Sequence, residues 1–95
     1  MNKDDIVFKA IADSTRRVIL DELAERNSQT LYELTARLIM KHNINMSRQG
    51  ITKHLRILEK AELVTSKRKG RYKILIFNDE PIRKISQRWL NTLVE

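Results

Sequence analysis

The sequence predicts a mainly α-helical fold with one small β-hairpin close to its carboxyl end. Apolar residues recur at helical spacing in five segments, and before the last of these the pattern changes to a strand-like alternation over residues 72–77. Only two glycines and one proline occur among the 95 residues, which leaves little room for long loops. We therefore expect one domain over residues 1–95, in the order helix, helix, helix, helix, hairpin, helix.

The first three helices are short, and the second and third begin at capping residues. Apolar residues recur over positions 6–11 in the first helix, and Asp13 is an N-cap candidate for the second. Thr30 and Glu33 form a capping-box pattern at the start of the third helix, because each side chain can bind the backbone N–H of the other residue. The polar stretch Lys41–Met46 breaks the periodicity, so we expect a turn there.

The fourth helix has an apolar side and a polar side. Ser47 is its expected N-cap, and residues 51, 55 and 58 are large aliphatic residues at i, i+4 and i+7. The opposite side is polar and largely basic, and it carries Arg48, Gln49, Thr52, Lys53 and Arg56. This division predicts a helix that packs by one face and presents the other to solvent or to a ligand.

A hairpin and a final helix complete the chain. Gly70 separates the segment Val64–Lys69 from the strand that begins at Tyr72, and we expect the two segments to pair. The tip of this hairpin is basic and contains Lys67, Arg68, Lys69 and Arg71. Pro81 favours the first turn of a last helix. That helix carries more apolar residues than one small core needs, among them Trp89, Leu90 and Leu93, so we expect either a partner subunit or intramolecular packing to cover them.

The positive charge is concentrated in one part of the chain. The sequence has 19 basic and 12 acidic side chains, a net charge of +7. Between Arg37 and Lys73 there are eleven basic residues and two acidic ones, which gives that segment +9. This concentration of positive charge favours a polyanionic partner such as nucleic acid. The alternative interpretation is a solvated surface that aids solubility.

Several classes of protein are excluded by what the sequence lacks. Cysteine is absent, so there is no disulfide or thiolate metal site, and we expect no cofactor. The longest apolar run has four residues and the first residues do not resemble a signal peptide, which predicts a cytoplasmic protein. An enzyme is the least favoured class, because there is no glycine-rich phosphate-binding motif and no cysteine nucleophile.

Two helices joined by a turn and followed by a basic hairpin predict a winged helix-turn-helix. A major groove admits one helix, and side chains near the amino end of that helix reach the base edges. Arg48 suits guanine, Gln49 suits adenine, and the Thr52 methyl suits thymine, whereas Lys53 and Arg56 are better placed for phosphates. The full set that we expect to bind DNA is Ser47, Arg48, Gln49, Thr52, Lys53, His54, Arg56, Lys67, Arg68, Lys69 and Arg71.

Each of these assignments has a simpler alternative. Arg48 and Gln49 would also serve as ordinary solvated helix residues, and the basic tip would also protect an edge strand from aggregation. Gly50 would let a DNA backbone approach closely. We expect His54 on the helix surface and His42 exposed in the turn; the two are twelve residues apart without other ligands, so we expect no metal site.

Four motifs, in the same order, resemble those of the arsenical-resistance-repressor (ArsR-type) family of bacterial winged-helix regulators. FKAIADSTRRVIL at Phe8–Leu20 is similar to the family's amino-terminal signature, with Ser14 where proline is usual. GITKHLRILEKAELV at Gly50–Val64 resembles its recognition helix, and Gly70–Tyr72 resembles its wing. PIRKISQRWL at Pro81–Leu90 looks like the closing helix of its metal-independent members.

The resemblance implies a homodimeric transcriptional repressor that binds double-stranded DNA at an inverted repeat, with autoregulation common among similar proteins. It implies dimerisation through the first and last helices, for which we expect Ile6, Val7, Ile85, Trp89, Leu90 and Leu93. The chain departs from the family in its longer turn before Ser47, and it has no cysteine and no histidine on the last helix for metal sensing.

A second hypothesis remains open beside the repressor. Winged helices also act as protein-interaction modules or as non-specific nucleic-acid binders. A specific repressor discriminates its site from random duplex by about 10³-fold or more, and an adaptor does not.

Overall fold

The computed structural model describes the backbone of residues 1–94 and the side chains of residues 1–91, and within that part the chain forms five helices and three strands. The elements, in chain order, are α1 (Lys3–Ile11), α2 (Ser14–Glu25), β1 (Gln29–Thr30), α3 (Leu31–Met40), α4 (Arg48–Lys60), β2 (Val64–Lys69), β3 (Tyr72–Phe77) and α5 (Glu80–Val94). The predicted fold class, mainly α with a small hairpin, is confirmed. No helix in the described part combines the length and the apolar character that crossing a membrane requires.

The helices begin where the sequence places capping residues. The Asp13 carboxylate accepts the backbone N–H of Arg16 at 3.0 Å, at the start of α2. At the start of α3 the capping box is complete, because Thr30 Oγ1 accepts from the Glu33 N–H at 3.1 Å and Glu33 Oε1 accepts from the Thr30 N–H at 2.9 Å. Ser47 caps α4 by accepting an N–H three residues later at 3.1 Å. These caps set the first residues of α2, α3 and α4.

The core lies between α2, α3, α4 and the sheet. Its largest fully buried apolar side chains are Ile19, Leu23, Leu34, Leu38, Ile51, Leu58, Leu63 and Leu75. The predicted inner side of α4 is confirmed, since all three of its aliphatic residues are buried. Their burial turns the polar side of the same helix outward, which sets up the candidate interface described below.

The sheet contains the predicted hairpin and one strand that the sequence analysis did not predict. β2 and β3 pair antiparallel from Val64 opposite Phe77 to Lys69 opposite Tyr72. Gly70 stands first in the two-residue turn with φ +62°, where glycine is favoured because a side chain would strain this backbone. β1 pairs with the other side of β3, which gives the order β1–β3–β2. β2 is therefore an edge strand.

Some of the apolar residues that we expected at a subunit interface on α1 and α5 are instead buried in the core of the chain. Val7 and Ile85 are 4% and 6% exposed and belong to the core, so the prediction that they form an intersubunit surface is corrected. Ile6 is half-buried and packs against the core. Among the residues of α1 and α5 whose side chains are described, the exposed large apolar ones are Phe8, Trp89 and Leu90, which we call the terminal patch. The predicted interface residue Leu93 lies outside the residues whose side chains are described.

Candidate nucleic-acid interface

The outer side of α4 collects the side chains that the sequence analysis selected for DNA. Ser47, Arg48, Gln49, Lys53 and Arg56 are exposed, and they line one shallow depression together with Gly50 and Thr52. The inner side is buried, so α4 cannot turn without disrupting the core. Thr52 is partly buried, and its Oγ1 donates to the Arg48 carbonyl at 2.9 Å. That bond uses the hydroxyl proton, which leaves the methyl group and the oxygen lone pairs for another contact.

His54 departs from the exposed position that we expected. Its side chain is 19% exposed, and its Nδ1 lies 3.2 Å from an Arg16 guanidinium nitrogen and 3.8 Å from Asp13 Oδ2. Both of these groups lie on the Nδ1 side of the ring. Nε2 is therefore the nitrogen that remains for a phosphate. Arg16 also donates to the Ala10 carbonyl at 2.7 Å, and this links the end of α1 to α4. Arg16 and His54 are 38 residues apart in the sequence, so no local pattern could indicate the contact between them.

The wing, by which we mean β2, β3 and their turn, presents its charges on two faces. Lys67 and Lys69 lie opposite Ile74 and Tyr72, whereas Arg68 lies opposite Lys73. Because directly opposed side chains share a face and successive ones alternate, the basic tip is divided between two sides. All four predicted residues of the tip are exposed, which suits contact with phosphates. Since β2 is an edge strand, protection from aggregation also fits this charge.

Two contacts hold the wing in shape. Arg68 donates to the Arg71 carbonyl at 3.3 Å, across the turn. Lys73 Nζ lies 3.1 Å from Glu59 Oε1, which joins β3 to the outer part of α4. Glu59 is one of only two acidic residues in the basic segment, and this ion pair gives it a structural role. A partly exposed pair of this kind contributes little stability, so its main effect is on orientation.

Gly50 has a role inside the protein. A Cβ added at this position would lie 2.7 Å from Met46 Cγ and 3.1 Å from Met46 Sδ. Met46 belongs to the turn before α4 and packs against the core. Glycine therefore leaves room for the Met46 side chain beside the first turn of α4. This packing explains the glycine without the close approach of a DNA backbone that we expected.

Replacement of Gly50 by alanine should destabilise the protein by about 1 kcal/mol. Overpacking against Met46 costs about 1–3 kcal/mol, which exceeds the gain of up to about 1 kcal/mol in helix propensity. In a Met46→Ala background the same Gly50→Ala change should become neutral or stabilising, because the obstructing atoms are gone. Urea unfolding of the four proteins measures this coupling. Equal effects of Gly50→Ala in both backgrounds would contradict it.

His42 is not the exposed turn residue that we expected. Its side chain is 22% exposed, and its Nε2 lies 3.1 Å from Oε1 of Glu22, which is fully buried. Among the described residues, no group of three or more His, Cys, Asp or Glu side chains is arranged to hold a metal ion. His42 is thus part of a polar cluster beneath the turn, and the sequence analysis gave no indication of that cluster.

Comparisons of sequence and of structure both find similarity to helix-turn-helix transcriptional regulators. A helix-turn-helix domain model matches residues 11–67. The chain is 60% identical over 86 residues to the uncharacterized HTH-type transcriptional regulator YuzN of Bacillus subtilis, and the match covers 90% of this chain and 94% of YuzN. It is 30% identical to the arsenical resistance operon repressor of the same organism, over 86% of this chain and 72% of that protein. An ArsR-like transcriptional regulator from Rhodococcus sp. RHA1 has a similar structure, with a TM-score of 0.73, 31% identity, and coverage of 97% of this chain and 87% of that one.

Proposed function

Because this chain belongs to the ArsR-type family of helix-turn-helix transcriptional regulators, we propose that it represses transcription as a homodimer bound to an inverted-repeat operator. It is a DNA-binding regulator and not an enzyme. One observation carries the proposal: the outer side of α4 is polar, basic and exposed, and a basic wing follows it. We further propose that residues 1–95 act as one DNA-binding module and that the operator includes the protein's own promoter.

The roles that we propose for α4 follow from the positions of its side chains. Arg48 and Gln49 stand in its first turn, where a helix in the major groove comes closest to the base edges. Lys53 and Arg56 stand farther along the same exposed side, so we assign them to phosphates. We assign phosphate contacts also to Ser47, to Nε2 of His54 and to the basic tip of the wing.

The terminal patch supports the homodimer. Phe8, Trp89 and Leu90 are 40%, 57% and 54% exposed, and the rings of Phe8 and Trp89 stack with centroids 6.1 Å apart. Exposed apolar groups that adjoin in this way favour a subunit interface. In a two-fold dimer the same patch occurs on both subunits and can be self-complementary. Such a dimer would place two copies of α4 about 34–36 Å apart, one turn of the DNA helix, or a multiple of that distance.

Arg48→Ala and Gln49→Ala should each relax base preference at one position in each half-site. Loss of a bidentate contact should weaken binding to the preferred site by about 1–3 kcal/mol. Binding to a site with another base at that position should weaken by less. Fluorescence anisotropy with operator duplexes that carry every base at each position measures this change. Glu25→Gln, an exposed change on α2, is the control. If both variants keep the full preference of the wild type, neither residue reads bases.

A second candidate function rests on α3. Tyr32, Ile39 and Met40 on this helix are 75%, 45% and 85% exposed, and exposed apolar side chains on one helix favour an interaction surface. A protein-interaction module would use such a surface. The two functions differ in the ratio of affinities for operator and random duplex, which we expect to be about 10³ or more for a repressor.

A further inference from the structure

The helix α2 carries a carboxylate that is completely buried. The Glu22 side chain is 0% exposed, and a buried charge is costly unless other groups pair with it. Gln29 Nε2 donates to Glu22 Oε2 at 2.8 Å. His42 Nε2 and Lys41 Nζ lie 3.1 and 3.4 Å from Glu22 Oε1. Both oxygens of the carboxylate therefore have donors.

These contacts keep the carboxylate ionised. Burial alone would raise the pKa of Glu22, but the hydrogen bonds from Gln29, His42 and Lys41 outweigh it and hold the pKa below its ordinary value of 4.5. An ionised carboxylate can only accept, so Nε2 of His42 carries a proton. The contact with His42 is consequently a hydrogen bond to a charged acceptor, which is stronger than a neutral one.

Two of the three donors belong to the turn that leads into α4. Lys41 is the C-cap of α3, and His42 is the residue after it. The turn then passes through Asn43, which has φ +60°, and Ile44, whose N–H donates to the Leu38 carbonyl at 2.9 Å. Glu22 thus holds the point at which this long turn leaves α3. The turn runs from this anchor to Ser47, the N-cap of α4, so the anchor restricts the position from which α4 begins.

The third donor ties the same carboxylate to the rest of the scaffold. Gln29 stands in β1, and its Nε2 also donates to the Arg26 carbonyl at 2.6 Å. Its Oε1 accepts from Arg37 of α3 at 2.6 Å. The end of α2, the first strand, α3 and the turn are therefore joined through the buried pair of Glu22 and Gln29. No buried side-chain nitrogen or oxygen within the described residues lacks a hydrogen-bond partner.

We propose that Glu22 is a positioning residue for DNA recognition: through His42 and Lys41 its buried carboxylate anchors the turn that sets the start of α4. The inference rests on the proposed DNA-binding role of α4. Without the anchor, the turn samples several arrangements. The buried residues of α4 still hold the helix on the core, but only a fraction of molecules present its first turn, with Arg48 and Gln49, correctly. The apparent dissociation constant for a specific site rises in inverse proportion to that fraction. Non-specific binding depends mainly on phosphate charge and changes little.

The test compares Glu22→Gln and His42→Ala with a matched control. Glu25 also pairs with Lys41, at 2.8 Å, but its side chain is 65% exposed. Glu25→Gln therefore removes the exposed ion pair and leaves the buried contacts intact. At a temperature where each variant is fully folded, we expect about tenfold weaker binding of a selected operator if one molecule in about ten keeps the turn in place. Affinity for random duplex should stay unchanged, and Glu25→Gln should match the wild type for both duplexes.

Amide hydrogen exchange of the free protein supplies a second measurement that does not depend on DNA. We expect the Ile44 amide to exchange at least about tenfold faster in both test variants, because the open fraction of the turn rises to about 0.9, while the slowest core amides keep their rates. A purely structural role would accelerate all of the slowest amides together. His42→Ala lies on the turn and keeps the test valid if Glu22→Gln does not fold.

The two measurements separate failure of this inference from failure of the proposed function. Wild-type operator preference and wild-type Ile44 exchange in folded His42→Ala would overturn the role of Glu22. If the wild type itself binds random and selected duplexes equally, the proposed function fails, and the exchange at Ile44 still decides whether Glu22 anchors the turn.

Discussion

Replacing Lys67, Arg68 and Lys69 together with alanine is expected to weaken binding to every duplex and to flatten its salt dependence. Each phosphate contact releases condensed counterions, so the slope of log affinity against log salt should decrease in magnitude by up to about 3 for three lost contacts. The structure exposes all three side chains on the wing. Anisotropy titrations between about 50 and about 200 mM salt, with operator and with random duplex, measure both effects.

The matched control removes the same charge from another surface. Lys3, Arg83 and Lys84 lie on α1 and α5, outside the proposed DNA interface, and are exposed. Their replacement by alanine also removes three positive charges from a chain with a net charge of +7. We expect a much smaller change in slope for this control. Equal slopes for the two triple variants would mean that the wing contributes only net charge, and protection of the edge strand β2 would then explain its basic tip.

Replacing Trp89 and Leu90 together with alanine is expected to dissociate the homodimer and to abolish operator binding. Large apolar side chains at the centre of an interface cost about 2 kcal/mol or more each when truncated, and a two-fold interface contains each of them twice. The dimer dissociation constant should therefore rise by about 10³-fold or more. Sedimentation equilibrium measures the dissociation constant, and circular dichroism verifies that the monomer is folded.

Tyr32→Ala is the control for the loss of an exposed apolar side chain. Tyr32 is 75% exposed and belongs to α3, whereas the terminal patch lies on α1 and α5, so we expect an unchanged dimer dissociation constant. A double variant of Trp89 and Leu90 that remains as dimeric as the wild type would place the subunit interface elsewhere. A wild-type protein that is monomeric at high concentration would contradict the proposed homodimer.

The sequence predicted those parts of the fold that depend on local pattern. Capping residues such as Thr30 and Ser47 bind N–H groups only three residues away, so their role can be recognised from spacing. The wing is equally local, because Gly70 and the alternation after it define a hairpin with a two-residue turn. The outer side of α4 followed from the helical repeat of its apolar residues, and those residues are buried in the structure.

Features that depend on distant contacts could not be predicted. β1 has two residues, too few to show a periodic pattern, and it pairs with a strand more than 40 residues away. From the sequence alone, Glu22 would be placed on the exposed side of an amphipathic helix. Its contact with His42 could not be predicted, because the two residues are 20 positions apart and meet only in the folded chain. Val7 and Ile85 illustrate the same limit, because helical spacing does not tell whether an apolar residue faces its own core or a second subunit.

Selection of bound duplexes from a random DNA library at moderate salt tests most directly whether the protein is a sequence-specific dimeric repressor. We expect enrichment of an inverted repeat whose half-sites are separated by one helical turn, about 34–36 Å, or a multiple of that distance. The spacing would then report the separation of the two copies of α4. Salt-sensitive binding without enrichment of any sequence would contradict a sequence-specific repressor, and absence of binding would contradict the assignment of α4 and the wing to DNA.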